Sequence, residues 1–325
     1  MSGDSEGWQV ARRRKGKFEK MKLQVSSDDP NIQEHLDVDK IEKRLRQTVS
    51  DLTCEAFYEK WKDELLMAAL GIQQFQEKIR DAQVANHDLY CSSPGQMQCV
   101  CYGLGSFSSC VSARYQLAML LLLLGALKIE LSDCLVFDPV FSSGEKDVLK
   151  RIGLTVLTEN ELPQMNAAVV SLGKTLNPPC PQCLRTLVCE CVCEWEGKRQ
   201  VDKPTIFYLM HCGKALYNNL LWKNWSKHCL TEIIIIGNSF CSMKERTIDR
   251  EFNRDYSYIS QITAVCKESL LPCPSHMIDV FSDTAVITFP TGSLNELSES
   301  TWVNTPEPQY EHCADLEIVC KDQQR

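Results

Sequence analysis

Three things are scarce or missing in this 325-residue chain: an excess of positive charge, an export-type leader and an apolar run long enough to cross a bilayer. Lys and Arg number 35 against 43 Asp and Glu, a net charge of -8. A protein that grips nucleic acid by neutralising phosphates needs a positive face, so direct nucleic-acid binding is not expected. Met1 to Met21 is polar and basic with no apolar centre, unlike a secretory signal. Leu117 to Leu127 is the longest apolar run, too short for a span and interrupted by Arg114 and Lys128. The expectation is a soluble intracellular protein away from membranes, cytoplasmic, with the nucleus as a second compartment. A nucleophile elbow, a P-loop, paired zinc histidines and a kinase signature are also missing, so no ready-made catalytic motif presents itself.

Cysteine, by contrast, is plentiful at 18. Cys99, Cys101, Cys110 and Cys134 lie inside apolar runs, where reduced Cys behaves as a small hydrophobe, and without an export signal the thiols are expected to stay reduced.

The chain divides by composition into an arm, a helical extension, a central domain and a tail. Residues 1–37 form a basic arm, expected to be disordered, with Arg12, Arg13, Arg14, Lys15, Lys17, Lys20 and Lys22. It is open to reading as a nuclear-import signal, a contact for an acidic partner or a solvated tail. Residues 38–90 form a helical extension. Ile41, Leu45, Val49 and Leu52, then Phe57, Trp61, Leu65, Leu66, Ala69, Ile72 and Phe75, recur at helical spacing, for packing on the domain or for holding a partner. Residues 91–300 form an α/β domain and 301–325 an acidic, peripheral tail.

The domain is organised around Gln98 to Leu127. A short apolar strand (Cys99 to Tyr102) runs into a Gly103-Leu104-Gly105 turn and then a long apolar helix starting near Ser106 to Ser109. Further strands are expected at Cys134 to Phe137, Leu154 to Leu157, Thr205 to Met210, Glu232 to Ile236, Met277 to Phe281 and Ala285 to Phe289. Helices fall between them, at Gly144 to Arg151, after Gly213 and from Met243 to Cys266. Continuous apolar strands alternating with helices predict a Rossmann-like, doubly wound α/β fold with a mainly parallel sheet and the N-terminal helices packed on it.

In such a sheet ligands bind beyond the strand C-termini, where the strand order reverses. Gly103, Gly105, Ser106 and Ser108 follow the first strand, Asp138 the second, His211 and Cys212 the fourth, and Asn238 and Ser239 the fifth. They are expected to line one crevice. Glycine turns let backbone N–H groups approach an anion, and an acidic residue ending the second strand holds ribose hydroxyls in dinucleotide and adenosyl-methionine sites. Ser108 stands where the third fingerprint glycine would fall, which counts against NAD and leaves a nucleotide-type ligand open. His211 is either an acid or base partnered by Cys212 or Asp138, or a capping or core histidine. No cofactor is identified.

The stretch 162–195 breaks the α/β order. Cys180, Cys183, Cys191 and Cys193 superficially offer four thiolates to zinc, but the second pair is spaced by one residue and no His accompanies them; a disordered insertion is the other reading. Cys180-Pro181 and Cys273-Pro274 are Cys-Pro pairs, a minor lead to haem ligation.

VCYGLGSFSSC (100–110), FDPVFSSGEKDVLKRIGLTVLTENE (137–161), PTIFYLMHCGKALYNNLLWKNW (204–225) and IIIIGNSF (233–240) together resemble the core of the sensitivity-to-red-light-reduced family, in its animal SRR-like branch. The similarity covers roughly 96–289, with DTAVITFP and the PEPQYEHCADLEI tail also similar, while 162–195 departs from the family pattern. The resemblance implies a regulatory role, tied to circadian rhythm, clock-gene expression and haem biosynthesis; the reading adopted is a regulator that binds an unidentified protein partner or a small ligand, nucleotide-type or haem. It supplies no catalytic residue to carry over. An adenosyl-methionine-dependent methyltransferase using Gly103, Gly105 and Asp138 is the alternative.

Overall fold

The computed structural model describes residues 30–85, 97–157, 197–303 and 305–310. The basic arm up to residue 29, the possible zinc set Cys180, Cys183, Cys191 and Cys193, and Cys180-Pro181 lie outside the described residues.

Two helices come first, α1 (Pro30–Thr53) and α2 (Ala56–Ala85). The sequence ends the arm at Asp37, yet α1 begins at Pro30. Proline suits a first helical position, since its φ is preset and the N–H it lacks would have no helical partner there. The chain then runs through β1 (Gln98–Tyr102), α3 (Val111–Leu127), β2 (Cys134–Phe137), α4 (Ser143–Arg151) and β3 (Thr155–Val156). After 158–196 come β4 (Thr205–Leu209), α5 (Lys214–Lys223), α6 (Lys227–Thr231) and β5 (Ile233–Asn238). Then follow α7 (Phe240–Glu245), α8 (Asp249–Asp255), α9 (Ser257–Ile262) and β6 (Lys267–Leu270). The last elements are α10 (Ile278–Phe281), β7 (Thr284–Thr288), α11 (Thr291–Leu294) and α12 (Ser300–Val303).

The seven strands make one mixed, mostly parallel sheet in the order β3-β2-β1-β4-β5-β7-β6. β1 pairs in parallel with β2 and β4, and β4 with β5; only β7 runs antiparallel to its neighbours. Because side chains alternate, each central strand feeds two cores. Cys99, Cys101, Ile206, Tyr208, Ile234 and Ile236 point to one face, where Leu45 of α1, Trp61 of α2, Leu120 of α3, Val148 of α4 and Phe281 of α10 cover them. Val100, Tyr102, Phe207, Leu209, Ile233 and Ile235 point to the other, against Leu220 of α5, Phe240 of α7, Phe252 of α8 and Ile259 of α9. The connection leaving β1 therefore goes to one face and that leaving β4 to the other. No cysteine among the described residues forms a disulfide. Among those residues no helix is long and apolar enough to cross a membrane.

Several boundaries differ from the sequence reading. Met277 to Phe281 is not a strand: Ser275–Met277 is a 3-10 turn and α10 follows it. Met277, Val280 and Phe281 are buried, a three-and-four spacing that fits a helix rather than strand alternation. β6 is missing from the sequence reading because, as an edge strand reading Lys-Glu-Ser-Leu, it is exposed and polar. The helices expected over Met243 to Cys266 are three, the last two separated at Tyr256 (φ -125, ψ 47). Buried Asn218 sits at the second break, its Oδ1 accepting the Tyr258 and Ile259 N–H groups at 3.0 and 3.2 Å and so capping α9. The tail is also less peripheral than expected as far as Tyr310, whose hydroxyl bonds to the buried Asn218 and Asn219 amides.

Trp61 ties the N-terminal helices to the domain. It is 1 % exposed, donates its indole N–H to the Pro272 carbonyl at 2.9 Å and meets Phe281 edge-on at 5.1 Å. Trp61→Ala is expected to cost about 3–5 kcal/mol, read as a lowered denaturant midpoint for the whole chain. Loss of helical signal from α1 and α2 alone, with the domain transition unmoved, would show that these helices are an independent appendage.

Candidate functional site

The chain leaves β1 through two left-handed glycines, Gly103 (φ 66) and Gly105 (φ 79). At Gly103 a side chain is excluded twice over, because a Cβ would also stand 2.6 Å from Cys212 Sγ. The Gly105 N–H donates to Asp138 Oδ2 at 2.7 Å, and Asp138 Oδ1 accepts the Val140 N–H at 2.9 Å. One carboxylate thus ties the turn after β1 to the turn after β2. A second lies under the approach to α3. Glu145 Oε1 accepts the Ser108 N–H and the Ser106 hydroxyl, both at 2.8 Å, while Oε2 accepts the Ser142 N–H and hydroxyl, both at 2.9 Å. Ser142 and Glu145 form the capping box of α4, which is why the carboxylate comes to this spot. Glu145 has no solvent exposure. Burial pushes its pKa up, but the Ser108 and Ser142 N–H bonds and the two hydroxyls outweigh it and hold it below the usual glutamate value.

The far side of the crevice is built on β4 and β5. His211 is left-handed (φ 55), its N–H donates to Asn238 Oδ1 at 2.9 Å, and its Nε2 lies 3.0 Å from the Val280 carbonyl, which requires the Nε2–H tautomer. Cys212 Sγ donates to the Tyr102 carbonyl at 3.4 Å, laying the thiol across the Gly103 turn. Tyr217, buried in α5, bonds through its hydroxyl to the Leu209 carbonyl and accepts the Asn238 N–H at 2.9 Å.

The nine residues expected in one crevice therefore separate. Gly103, Gly105, Ser106, Ser108, Asp138 and Cys212 cluster at the ends of β1, β2 and β4, and His211 with Asn238 forms a second group beside them. Ser239 is turned away. Its hydroxyl bonds to Glu268 of β6 and accepts the Ser242 N–H at 3.0 Å, while Glu268 also accepts the Phe240 N–H at 2.9 Å, so both serve the start of α7. The acid–base arrangement of His211 with Cys212 or Asp138 is not assembled, since the imidazole faces Val280 and both Asp138 oxygens hold backbone N–H groups.

Three residues central to this geometry escape the sequence reading: Glu145, Tyr217 and Glu268. Only Glu145 has a local signature, the Ser142-x-x-Glu145 box ahead of an apolar pattern. Glu268 sits on the edge strand that the sequence hides, and Tyr217 looks like one more aromatic of an amphipathic helix.

Chemically, the N–H donors of Gly105 and Ser108, which an incoming anion would use, are already held by carboxylates of the chain itself. Of the thiols in β1, burial drives Cys101 well up, and Cys99 is driven up first by its hydrogen bond with Cys134 and then by burial. Burial also pushes the Cys273 thiol up, and its Sγ donates to the carbonyls of Pro274 and Met277, each at 3.5 Å. Among the described residues no three metal-ligating side chains gather.

Fold and site together define a class: an α/β domain with a mostly parallel seven-stranded sheet, whose strand-end turn is closed by internal carboxylates. The chain belongs to the SRR1 domain family, whose model matches residues 72–172 and 175–288, as the four sequence segments anticipate. The match covers all of the Cys-rich stretch 162–195 except residues 173–174, against the expectation that this stretch departs from the family pattern. The chain is similar to the SRR1-like protein of Mus musculus, 34% identical over 269 residues, covering 79% of this chain and 94% of that protein. It is similar to the SRR1-like protein of Drosophila melanogaster, 27% identical over 324 residues, covering 98% and 92%. The Arabidopsis thaliana protein SENSITIVITY TO RED LIGHT REDUCED 1 is 31% identical over 173 residues, 53% of this chain and 50% of that protein. No solved structure matches the chain.

Glu145 gives the turn an acid-labile component with a definite sign. Its lowered folded pKa means that its stabilisation is complete above the unfolded value of about 4.3 and is lost as pH falls through the folded value. Glu145→Gln is expected to lower stability at pH 7 by about 1–3 kcal/mol, because an amide adds a donor where four donors already converge. It is also expected to flatten the acid limb of denaturant midpoint against pH. An unchanged acid limb would mean that Glu145 is not the group that titrates there.

Proposed function

We propose that this chain is an intracellular regulator that works by binding a partner, without chemistry in the strand-end crevice. The observation that carries this reading is the state of the turn: the Gly105 and Ser108 N–H groups are hydrogen-bonded to Asp138 and Glu145, so an anionic ligand would have to displace two carboxylates. Displacing a buried carboxylate from its donors costs more than it returns unless the newcomer makes every bond again. The setting proposed is the one the family resemblance implies, circadian rhythm with clock-gene expression and control of haem biosynthesis; the printed name of the Arabidopsis relative refers to reduced red-light sensitivity. Residence in the cytoplasm, with a nuclear pool, belongs to the same proposal.

A second reading has one observation in its favour. Read along the sheet, β3-β2-β1-β4-β5 follows the first five strands of the Rossmann order, and the reversal falls between β1 and β4 beside Gly103, Gly105 and Asp138. In this reading the domain is Rossmann-like and doubly wound, and the crevice serves an adenosyl-methionine-dependent enzyme.

Calorimetric titration of the full chain with adenosyl-methionine, adenosyl-homocysteine, NAD and haem separates the two. The regulator reading expects no saturable nucleotide binding. Tight adenosyl-homocysteine binding that Asp138→Ala abolishes would replace it with the enzyme. Direct haem sensing would appear as a Soret shift lost in His211→Ala or Cys273→Ala, and an unshifted spectrum restricts the haem link to indirect regulation.

A further inference from the structure

The segment Thr305 to Tyr310 reads Thr-Pro-Glu-Pro-Gln-Tyr and forms neither helix nor strand. It runs along α5 and α9, and among the described residues its backbone makes no hydrogen bond to other backbone. Aromatic side chains hold it instead. Trp222 donates its indole N–H to the Thr305 carbonyl at 3.1 Å, and the Tyr258 hydroxyl donates to the Pro306 carbonyl at 2.7 Å. Lys198, stacked 5.8 Å over the Trp222 ring, pairs with Glu307 at 2.7 Å. At the far end the Tyr310 hydroxyl reaches Asn219 Oδ1 at 2.8 Å and the Ala215 carbonyl at 3.2 Å, and it accepts from Asn218 at 3.1 Å.

This is the chemistry by which aromatic grooves read proline-rich peptides. Proline presets an extended backbone and removes its own donor, leaving outward carbonyls that indole and phenol groups can satisfy. Just ahead of the segment Trp302, tilted against Trp225 at 5.4 Å, keeps a buried indole N–H with no acceptor among the described residues, and an unmade buried hydrogen bond is costly. A tethered segment nevertheless occupies its groove readily, because a short linker supplies an effective concentration on the order of millimolar.

We propose that the α5–α9 face is a recognition groove for an extended acidic, proline-containing peptide ending in tyrosine, carried by a partner protein. The chain's own Thr305 to Tyr310 is a cis occupant that such a peptide displaces. The inference rests on the partner-binding reading and names the kind of partner. It also links groove and crevice, since Ala215, where Tyr310 ends, stands three residues from Cys212 in α5's approach.

The test is fluorescence anisotropy with a labelled peptide of residues 304–311, titrated with the full chain. Glu307→Lys weakens the cis contact at an exposed position without touching the core. That variant is expected to bind the peptide at least tenfold more tightly than the wild-type chain. Adding Lys198→Glu removes this gain, because it re-forms the cis pair with its charges reversed and repels the peptide's Glu; Trp222→Phe, which keeps a ring but no donor, weakens binding throughout. If the wild-type chain and Glu307→Lys, both with unchanged Tm, fail to bind at millimolar peptide, or bind it equally, the cis-occupied groove is overturned and the segment is a structural strap. Either result leaves the calorimetric test of the crevice standing, and adenosyl-homocysteine binding there would not rescue the groove.

Discussion

Two buried carboxylates, Asp138 and Glu145, hold the junction from which the rest of the architecture departs. Asp138 binds the β1 turn to the β2 turn, and Glu145 binds the entry of α3 to the cap of α4. Both carboxyl groups are buried, Asp138 taking two backbone N–H donors and Glu145 two N–H and two hydroxyl donors. With this junction fixed, α3 can lay its apolar length across one face of the sheet, and α1 and α2 can pack on top of it. The same bonds that assemble the fold therefore take up the Gly105 and Ser108 N–H donors of this turn.

Buried amides do comparable work on the opposite face. Asn218 caps α9 with its oxygen and gives its Nδ2–H to Tyr310, so a single side chain positions a helix and anchors the C-terminal segment. Aromatic donors along α5 and α9 then bind the segment's carbonyls, where ladder hydrogen bonds would do so in a sheet. The contrast matters for function. The carboxylate junction holds the Gly105 and Ser108 N–H donors with the chain's own side chains, whereas the aromatic face holds its occupant through a handful of side-chain contacts.

Much of the fold was legible because the central strands are buried on both sides and read as unbroken apolar runs. Cys99 to Tyr102 and Ile233 to Ile236 declare themselves in this way. Where burial is partial the sequence misleads. Lys267 to Leu270 is polar because it is an edge, and Met277 to Phe281 is apolar at a spacing that suits strand or helix until its neighbours decide. The site was legible in its glycines and in Asp138, which end strands visibly. What Asp138 does there was not, since one of its two partners is the Gly105 N–H, 33 residues earlier in the chain.

By itself, then, the sequence determined the class of fold, the parallel central strands, the reduced state expected of the apolar cysteines and membership of the SRR1 domain family. These rest on local composition and on motif order, which the chain carries wherever its parts lie. Tertiary structure alone decided that the Gly105 and Ser108 N–H groups are held by Asp138 and Glu145, that His211 faces Val280 and not Asp138, and that the Thr305 and Pro306 carbonyls are held by Trp222 and Tyr258. Each of these depends on which donors and acceptors meet across distant segments, and a hydrogen bond exists only where folding brings both partners within about 3 Å.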